Sequence, residues 1–416
     1  MEAPPPRSRR SLAWVLTANF GEGLPWSVLH QMGTQFLTEM RASSTQVAST
    51  SLFHLAVTFK FLWSPVVDLF GRKRSWLVLM QLVLAGGMVA IAAAVSRSNP
   101  PWFRPFWVVA SVFAVLHATH DIACDGFYIE ALDARDQALY AGVRTAAFRA
   151  AMIVGSSGLV VLASHAGWFA AFATAGVIML ITALVNSRLL PRPPSSRAVD
   201  ASSKPASRST DFLQAYRTFL TQPKAALVLA FMFFYKLGDI MMFAMSQPLL
   251  RDIGVGLDRR GYLSGFGTVS FIVGSLVGGG LVARRGLRQT LVPLLYVQNF
   301  AIPLYFAMAV ARPHFAVIAP IVLTEQLVAG LGSAAHVMFL IQRTRRSFSA
   351  SHYAFATAIV ALGSTLSGYV SGPLNQHFGH PTFFAIAFVA SWPALILVWF
   401  VPKDPVEVRA AAPSAA

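Results

Sequence analysis

Residues 75–95 read SWLVLMQLVLAGGMVAIAAAV and contain no charged side chain. At a rise of about 1.5 Å per residue, a helix of this length matches the roughly 30 Å hydrocarbon core of a bilayer. Residues 381–401 form a second charge-free stretch. The whole chain of 416 residues is 55% hydrophobic and only 12% charged, about half the charged fraction of a soluble domain. These features exclude an ordinary soluble enzyme and predict a polytopic membrane protein.

Turn signals and charges divide the chain into twelve predicted spans. They lie near residues 12–38, 47–68, 75–95, 105–131, 138–164, 168–188, 224–250, 260–283, 289–311, 314–342, 351–376 and 380–401. The segment between the two sets of six is rich in Ser, Pro, Arg and Lys and is too polar to cross a bilayer. We therefore predict an all-α membrane protein with twelve transmembrane helices. Its parts are a six-helix half at 1–188, a cytoplasmic linker at 189–223, a second half at 224–402 and a tail at 403–416.

Basic residues predict the orientation, because cytoplasmic loops carry an excess of Lys and Arg. With both termini inside, the densest basic runs fall on the cytoplasmic side. These runs are Arg7/Arg9/Arg10, Arg72/Lys73/Arg74, the linker, Arg284/Arg285/Arg288 and Arg343/Arg345/Arg346. We expect an inner-membrane, multi-pass protein with cytoplasmic termini. The net charge of +16 is spread between spans, so no nucleic-acid partner is expected.

Ionisable residues also occur inside the predicted spans. They are Glu22, Lys60, His117, His120, Asp121, Asp125, Arg144, Arg149, Lys236, Asp239 and Glu325. The interiors of the third, sixth, ninth and twelfth spans contain no Asp, Glu, Lys or Arg. A charge facing lipid costs at least about 2.5–3.5 kcal/mol, so these side chains are expected to face a cavity. Both signs of charge at similar depth indicate a site for a polar, anionic solute, with carboxylates able to carry protons.

Structural interpretations of the same charges stay open at this point. Lys236 and Asp239 are spaced i, i+3 and can neutralise each other within one helix. Arg149 can tie the fifth span to Asp121 or Asp125 on the fourth.

An enzyme is the alternative from a different class of protein. His117, His120 and Asp121 imitate metal ligands, but no complementary His/Glu cluster lies on another span. We therefore predict no catalytic residue, no metal and no cofactor.

The loop after the second span carries a recognisable motif. Asp68, Gly71, Arg72 and Lys73 match the Gly-x-x-x-Asp-x-x-Gly-Arg-Arg/Lys loop of the major facilitator superfamily, with a serine in place of its first glycine. Asp68 can meet a cation or a helix N-terminus and so hold the cytoplasmic side shut. The alternative is a basic loop that only sets topology. The predicted cytoplasmic gate comprises Asp68, Gly71, Arg72, Lys73 and Arg144.

Four stretches resemble AmpG-type permeases, the muropeptide and acetyl-coenzyme A transporter branch of the major facilitator superfamily. They are FGEGLP at 20–25, KFLWSPVVD at 60–68, ATHDIACD at 118–125 and YKLGD at 235–239. Two departures stand beside them: His120 replaces the usual Gln, and Gly126 replaces the usual Ala.

The resemblance implies a major facilitator fold of two six-helix halves and proton-coupled import of anhydro-muropeptides for peptidoglycan recycling. The residues expected to bind substrate or couple protons are Glu22, Lys60, Asp121, Asp125, Arg149, Lys236, Asp239 and Glu325. Trp26, Trp63 and Tyr235 are candidates for stacking on sugar rings. The expected partners are a small-molecule substrate, protons and the bilayer, with the protein a monomer. A major facilitator transporter of another polar or amphiphilic solute, either an acetyl-coenzyme A-like carrier or an exporter, is the alternative.

Overall fold

The computed structural model describes residues 9–95, 103–132, 134–192, 217–344 and 349–406, and within these ranges no residue lies in a β-strand. The first helices are α1 (Arg9–Ser27), α2 (Gly33–Glu39), α3 (Ser44–Ala48), α4 (His54–Thr58), α5 (Ser64–Leu69), α6 (Lys73–Val95), α7 (Phe103–Ala131), α8 (Ala134–Ile153) and α9 (Leu159–Leu189). The later helices are α10 (Ala225–Phe234), α11 (Leu237–Asp252), α12 (Leu257–Arg285), α13 (Leu287–Asn299), α14 (Ile302–Ala311), α15 (Phe315–Gln342), α16 (Ser349–Ala390) and α17 (Trp392–Leu397).

Eight helical stretches in the described part of the chain are long and apolar enough to cross a membrane. Two of them, Gly142–Leu189 and Phe355–Leu397, contain 48 and 43 residues, about twice the ~20 residues that one crossing needs. Each is kinked at a glycine with positive φ, Gly167 at 82° and Gly379 at 75°. Only glycine adopts such a conformation readily. The kinks lie where the sequence predicts the turns between spans five and six and between spans eleven and twelve.

The segments predicted as the first two spans are irregular. A π-helical turn at Val28–Met32 joins α1 to α2, and 3₁₀ turns at Ser49–Phe53 and Lys60–Leu62 separate α3, α4 and α5. Pro65 stands in the first turn of α5, where its missing N–H ends the helical hydrogen bonding before it. Lys60 therefore lies at a break in the second predicted span rather than within a regular helix.

The described helices group into two compact units, and each unit includes a short segment from the other half of the sequence. The first unit comprises Met1–Glu39, Phe53–Ala201 and Gly256–Gly265; the second comprises Met40–Leu52, Ser202–Val255 and Phe266–Ala416. Most of the predicted linker and most of the tail lie outside the described residues. The predicted domain boundaries therefore stay a prediction.

The burial pattern of these helices fits a bilayer rather than water. Large apolar side chains such as Leu276, Val108 and Leu184 are exposed, whereas polar side chains such as Gln81 and Asn186 are fully buried. Buried polar groups need partners, and Asn186 donates to Gln81 at 3.1 Å. Exposed apolar surface of this extent is unfavourable in water but matches lipid tails.

Helices α12 and α15 approach each other so closely that glycine is required in the contact. A Cβ atom at Gly274 would overlap the carbonyl oxygen of Leu327, and one at Gly330 would overlap that of Phe271. Small residues at such crossings let backbones meet in a membrane, where packing rather than the hydrophobic effect holds helices together. Gly279 lies on the same helix as Gly274 but faces open space.

We expect Gly274→Ala to destabilise the protein and Gly279→Ala to leave its stability unchanged or slightly higher. Overpacking a tight contact costs about 1–3 kcal/mol, whereas Gly to Ala at an open helix position is neutral or favourable. Thermal unfolding of both purified variants in the same detergent measures the difference. Equal melting temperatures would show that α12 and α15 do not meet at Gly274.

Candidate functional site

Five charged side chains in the first unit form one connected network. Lys60 makes an ion pair with Asp121, and its Nζ lies 3.6 Å from Oδ2 of Asp125. Arg144 makes an ion pair with Asp125, and its Nη2 lies 3.5 Å from Oε2 of Glu22. Along Asp121, Lys60, Asp125, Arg144 and Glu22 the sign of the charge alternates. Four elements of the fold contribute to the network: the turn after α4, α7, α8 and α1.

The two ends of this network also meet. When both are ionised, Glu22 and Asp121 carry like charges, and at close range this favours the protonation of one of them. Oxygen atoms of Glu22, Asp121 and Asp125 all lie within 4.8 Å of one another. Such a cluster can bind a cation, but Lys60 and Arg144 already contact it. Three carboxylates and two cations leave one negative charge, which one proton neutralises.

The spacing on α7 explains how its carboxylates come together. Asp121 and Asp125 are four residues apart and lie on one face of the helix. His117 lies one turn earlier, with its Nε2 3.4 Å from the backbone carbonyl oxygen of Glu22. His120 is fully buried. Among the described residues, the one group with metal-binding spacing is Glu22, Asp121 and Asp125, so the histidines are not part of a potential metal centre there.

Arg144 belongs to the charged network, although the sequence had placed it at the cytoplasmic gate. The predicted fifth span starts at residue 138, which leaves Arg144 near its end, but α8 begins at Ala134. Ten residues of helix, about 15 Å of axial rise, separate Arg144 from the start of α8, and its guanidinium group reaches Asp125 on α7. From α8, Arg144 donates a hydrogen bond to the carboxylate of Asp125 on α7. Arg149, also on α8, donates to Sδ of Met152 at 3.6 Å.

The loop motif is described only in part. Gly71 has φ 84°, a conformation that favours glycine, and Arg72 is exposed. The side chain of Asp68 lies outside the described part of the structure, so its gating role stays a prediction. Lys73 packs against α7, where a Cβ at Gly126 would lie 2.9 Å from its Cδ. Glycine at this position, in place of the family's usual alanine, leaves room for the lysine.

The second unit has a smaller charged site. Lys236 donates to Asp239 at 3.0 Å and to Oγ of Ser333 at 2.8 Å. Lys236 stands between α10 and α11 with non-helical backbone angles, so Lys60 and Lys236 both lie at helix breaks. Unwound backbone inside a membrane protein is typical of transporter binding sites.

Glu325 on α15 is almost fully buried and has neutral partners. Its Oε2 accepts hydrogen bonds from Gln326 at 2.9 Å and from the Tyr305 hydroxyl at 3.3 Å. Within the described ranges, none of the ion pairs involves Glu325. An ionised carboxylate buried without a cation is costly. Glu325 is therefore the second carboxyl group that can carry a proton.

Tyr235 does not have the role that the sequence suggests, and two polar residues of the site were not expected from the sequence. Tyr235 is fully buried, its ring stacks on His336 at 4.0 Å, and its hydroxyl donates to the Gly332 carbonyl at 2.8 Å. The prediction that it stacks on a sugar ring is therefore wrong. Ser333 and Tyr305 were not identified from the sequence. Ser333 lies eight residues after Glu325, a spacing that places both on one face of a helix. The ninth predicted span contains no charged residue, so no sequence pattern pointed to Tyr305.

Ion networks buried among membrane-spanning helices are typical of membrane transporters. Residues 12–344 match the family model for the Major Facilitator Superfamily, so the chain belongs to that family. It is a transporter and not an enzyme. The chain is 28% identical to the anhydromuropeptide permease of Escherichia coli (strain K12) over 394 residues, which cover 93% of this chain and 78% of that protein. The resemblance to AmpG-type permeases is thereby confirmed.

Solved structures agree with the predicted fold. A D-xylose–proton symporter superposes with a TM-score of 0.75 at 10% identity, covering 95% of this chain and 98% of its own. A bacterial homologue of the human lysosomal transporter Spinster, in an inward-facing, unoccupied conformation, gives a TM-score of 0.68 at 13% identity, covering 96% and 95%. At these identities the likeness shows the major facilitator fold alone.

Proposed function

We propose that this protein is a secondary active transporter of the inner membrane that imports anhydro-muropeptides together with protons for peptidoglycan recycling. The observation that carries the proposal is the network in the first unit, in which three carboxylates share two cations. The similarity to a named anhydromuropeptide permease along 93% of the chain supports the substrate class. The basic loops support cytoplasmic termini.

Glu22 is the best candidate for the proton carrier in the network. Asp121 and Asp125 each have a close ion pair, whereas Glu22 has Arg144 only at 3.5 Å. Glu22 is also the most buried of the three carboxylates, with 10% of its side chain exposed. One proton shared by Glu22 and Asp121 therefore makes the network neutral. Glu325, with neutral partners only, is the alternative carrier in the second unit.

Lys60 links the proton to the substrate. Its side chain is 30% exposed, more than that of Asp121 at 12%, so an incoming carboxylate can reach it. When the proton passes from Glu22 to Asp121, the attraction of Asp121 to the ammonium group falls. Lys60 then becomes available to a carboxylate of the peptide or of the muramic acid. In this scheme protonation and anion binding favour each other, as coupled transport requires.

We expect energised right-side-out membrane vesicles, which protons enter down their gradient, to accumulate labelled anhydro-muropeptide. Energised inside-out vesicles, which protons leave down their gradient, should not accumulate it. A protonophore should abolish accumulation, because the proton gradient is the only energy source in this scheme. Vesicles lacking the protein give the background. Uptake equal to background would exclude the muropeptide, and acetyl-coenzyme A or an amphiphilic solute would then be tested. Accumulation that survives the protonophore would exclude proton coupling.

A further inference from the structure

A cavity of 590 Å³ lies in the first unit where α1 and α6 begin and α9 ends. Three of the residues that line it are arginines, Arg74, Arg188 and Arg192, and among the described residues of the lining none is acidic. It is separate from the charged network, with which it shares only helix α1. The cavity is thus a concentration of positive charge at the membrane boundary.

Arg74 is fixed in place by the end of α9. Its Nε donates to the carbonyl oxygen of Leu190 at 3.2 Å, and its Nη2 donates to that of Ser187. These bonds satisfy carbonyl groups that the helix terminus leaves unpaired. Arg192 is close enough for its like charge to act on Arg74. The described lining residues include no carboxylate to neutralise these two guanidinium groups. An anion bound between them would reduce their repulsion.

We propose that this cavity binds the phosphate headgroup of an anionic phospholipid. Basic pockets between transmembrane helices at the cytoplasmic boundary are suited to such headgroups. Arg188 and Arg192 are exposed and present guanidinium groups that match phosphate oxygens.

The helices below the cavity supply a surface for the acyl chains. Leu184, Ile181 and Val177 on α9 are 51%, 55% and 53% exposed. Leu79 on α6 is 50% exposed. The eleven-residue distance from Arg188 to Val177 spans about 16 Å along the helix, which is comparable with an acyl chain. A soluble phosphate would use the arginines but not this apolar surface, so a lipid is the occupant that the whole site fits.

Native mass spectrometry of the purified full chain tests the proposal with cardiolipin, phosphatidylglycerol and phosphatidylethanolamine. We expect the two anionic lipids to remain bound and phosphatidylethanolamine to dissociate. The double variant Arg188→Gln/Arg192→Gln should bind cardiolipin about 30-fold more weakly, since each basic residue near the surface contributes about a fivefold preference. Arg74 is kept because it holds the end of α9.

The matched control is Arg284→Gln/Arg285→Gln, which removes the same charge from exposed positions at the end of α12. Cardiolipin binding should be unchanged in this variant, and the melting temperatures of both variants should match the unaltered protein. Equal retention of phosphatidylethanolamine would overturn the proposal, as would unchanged cardiolipin binding in the Arg188/Arg192 variant. Displacement of cardiolipin by an equal concentration of inorganic phosphate would show a soluble-anion site instead.

Discussion

Replacing Lys60 by Met should reduce muropeptide uptake to background and lower the thermal stability of the protein. Lys60 contacts both Asp121 and Asp125. Without it, three carboxylates share only Arg144, and the network changes from one excess negative charge to two. Removing one partner of a buried ion pair costs about 3–5 kcal/mol, and the partial exposure of Lys60 places the expected loss at or below the low end of this range. Uptake in vesicles and thermal unfolding in detergent measure the two effects.

A second variant separates the transport role of Lys60 from its structural role. Lys60→Met/Asp121→Asn has two carboxylates and one cation, which restores the single excess negative charge. We expect its melting temperature to return most of the way toward that of the unaltered protein, while its uptake stays at background. Recovery of uptake together with stability would show that Lys60 only neutralises Asp121. Asp121→Asn alone serves as the reference for the lost carboxylate.

The lysines and carboxylates of the charged network could be singled out from the sequence because charge inside an apolar span is rare and costly. Glu22, Lys60, Asp121 and Asp125 were identified in this way, and the structure brings all four together. Both kinked turns could also be placed, because a glycine stands between the hydrophobic stretches at Gly167 and Gly379. Composition and the spacing of hydrophobic stretches therefore predict the buried charges and these two turns.

The partner of each charge was not predictable, because it depends on helix ends that sequence patterns locate only to within a few residues. Four extra residues at the start of α8 move Arg144 by about 6 Å and bring it into the network that the sequence had linked to Arg149. The breaks at Lys60 and Lys236 are also tertiary features: Pro65 gives a local signal for the first, but the sequence around Lys236 contains no proline. Tyr305 and Ser333 are neutral, so the charge pattern does not identify them. The structure identifies them because they hydrogen-bond to Glu325 and Lys236, respectively.

Replacing Glu22 by Gln should uncouple transport from the proton gradient without stopping substrate exchange. Gln keeps the shape of the side chain, but its amide group has no titratable proton. Each proton that enters down a pH gradient equivalent to about 100 mV releases about 2.3 kcal/mol, enough for a roughly 50-fold concentration of solute. We expect this accumulation to fall to the level set by passive equilibration, while counterflow of labelled against unlabelled muropeptide continues. Uptake with and without a protonophore, and counterflow in de-energised vesicles, are the two measurements.

Glu325→Gln is the matched comparison, because it removes a buried carboxyl group from the second unit while Gln326 and Tyr305 remain in place. If Glu22 carries the proton, the Glu325 variant keeps its protonophore-sensitive accumulation and the Glu22 variant does not. The reverse result would assign the proton to Glu325 and leave Glu22 as a partner of Arg144. Full accumulation in both variants would contradict proton transfer through either group. Because each substitution replaces a buried carboxyl group by an amide of the same shape, a difference between them reports on the position of the proton rather than on side-chain shape.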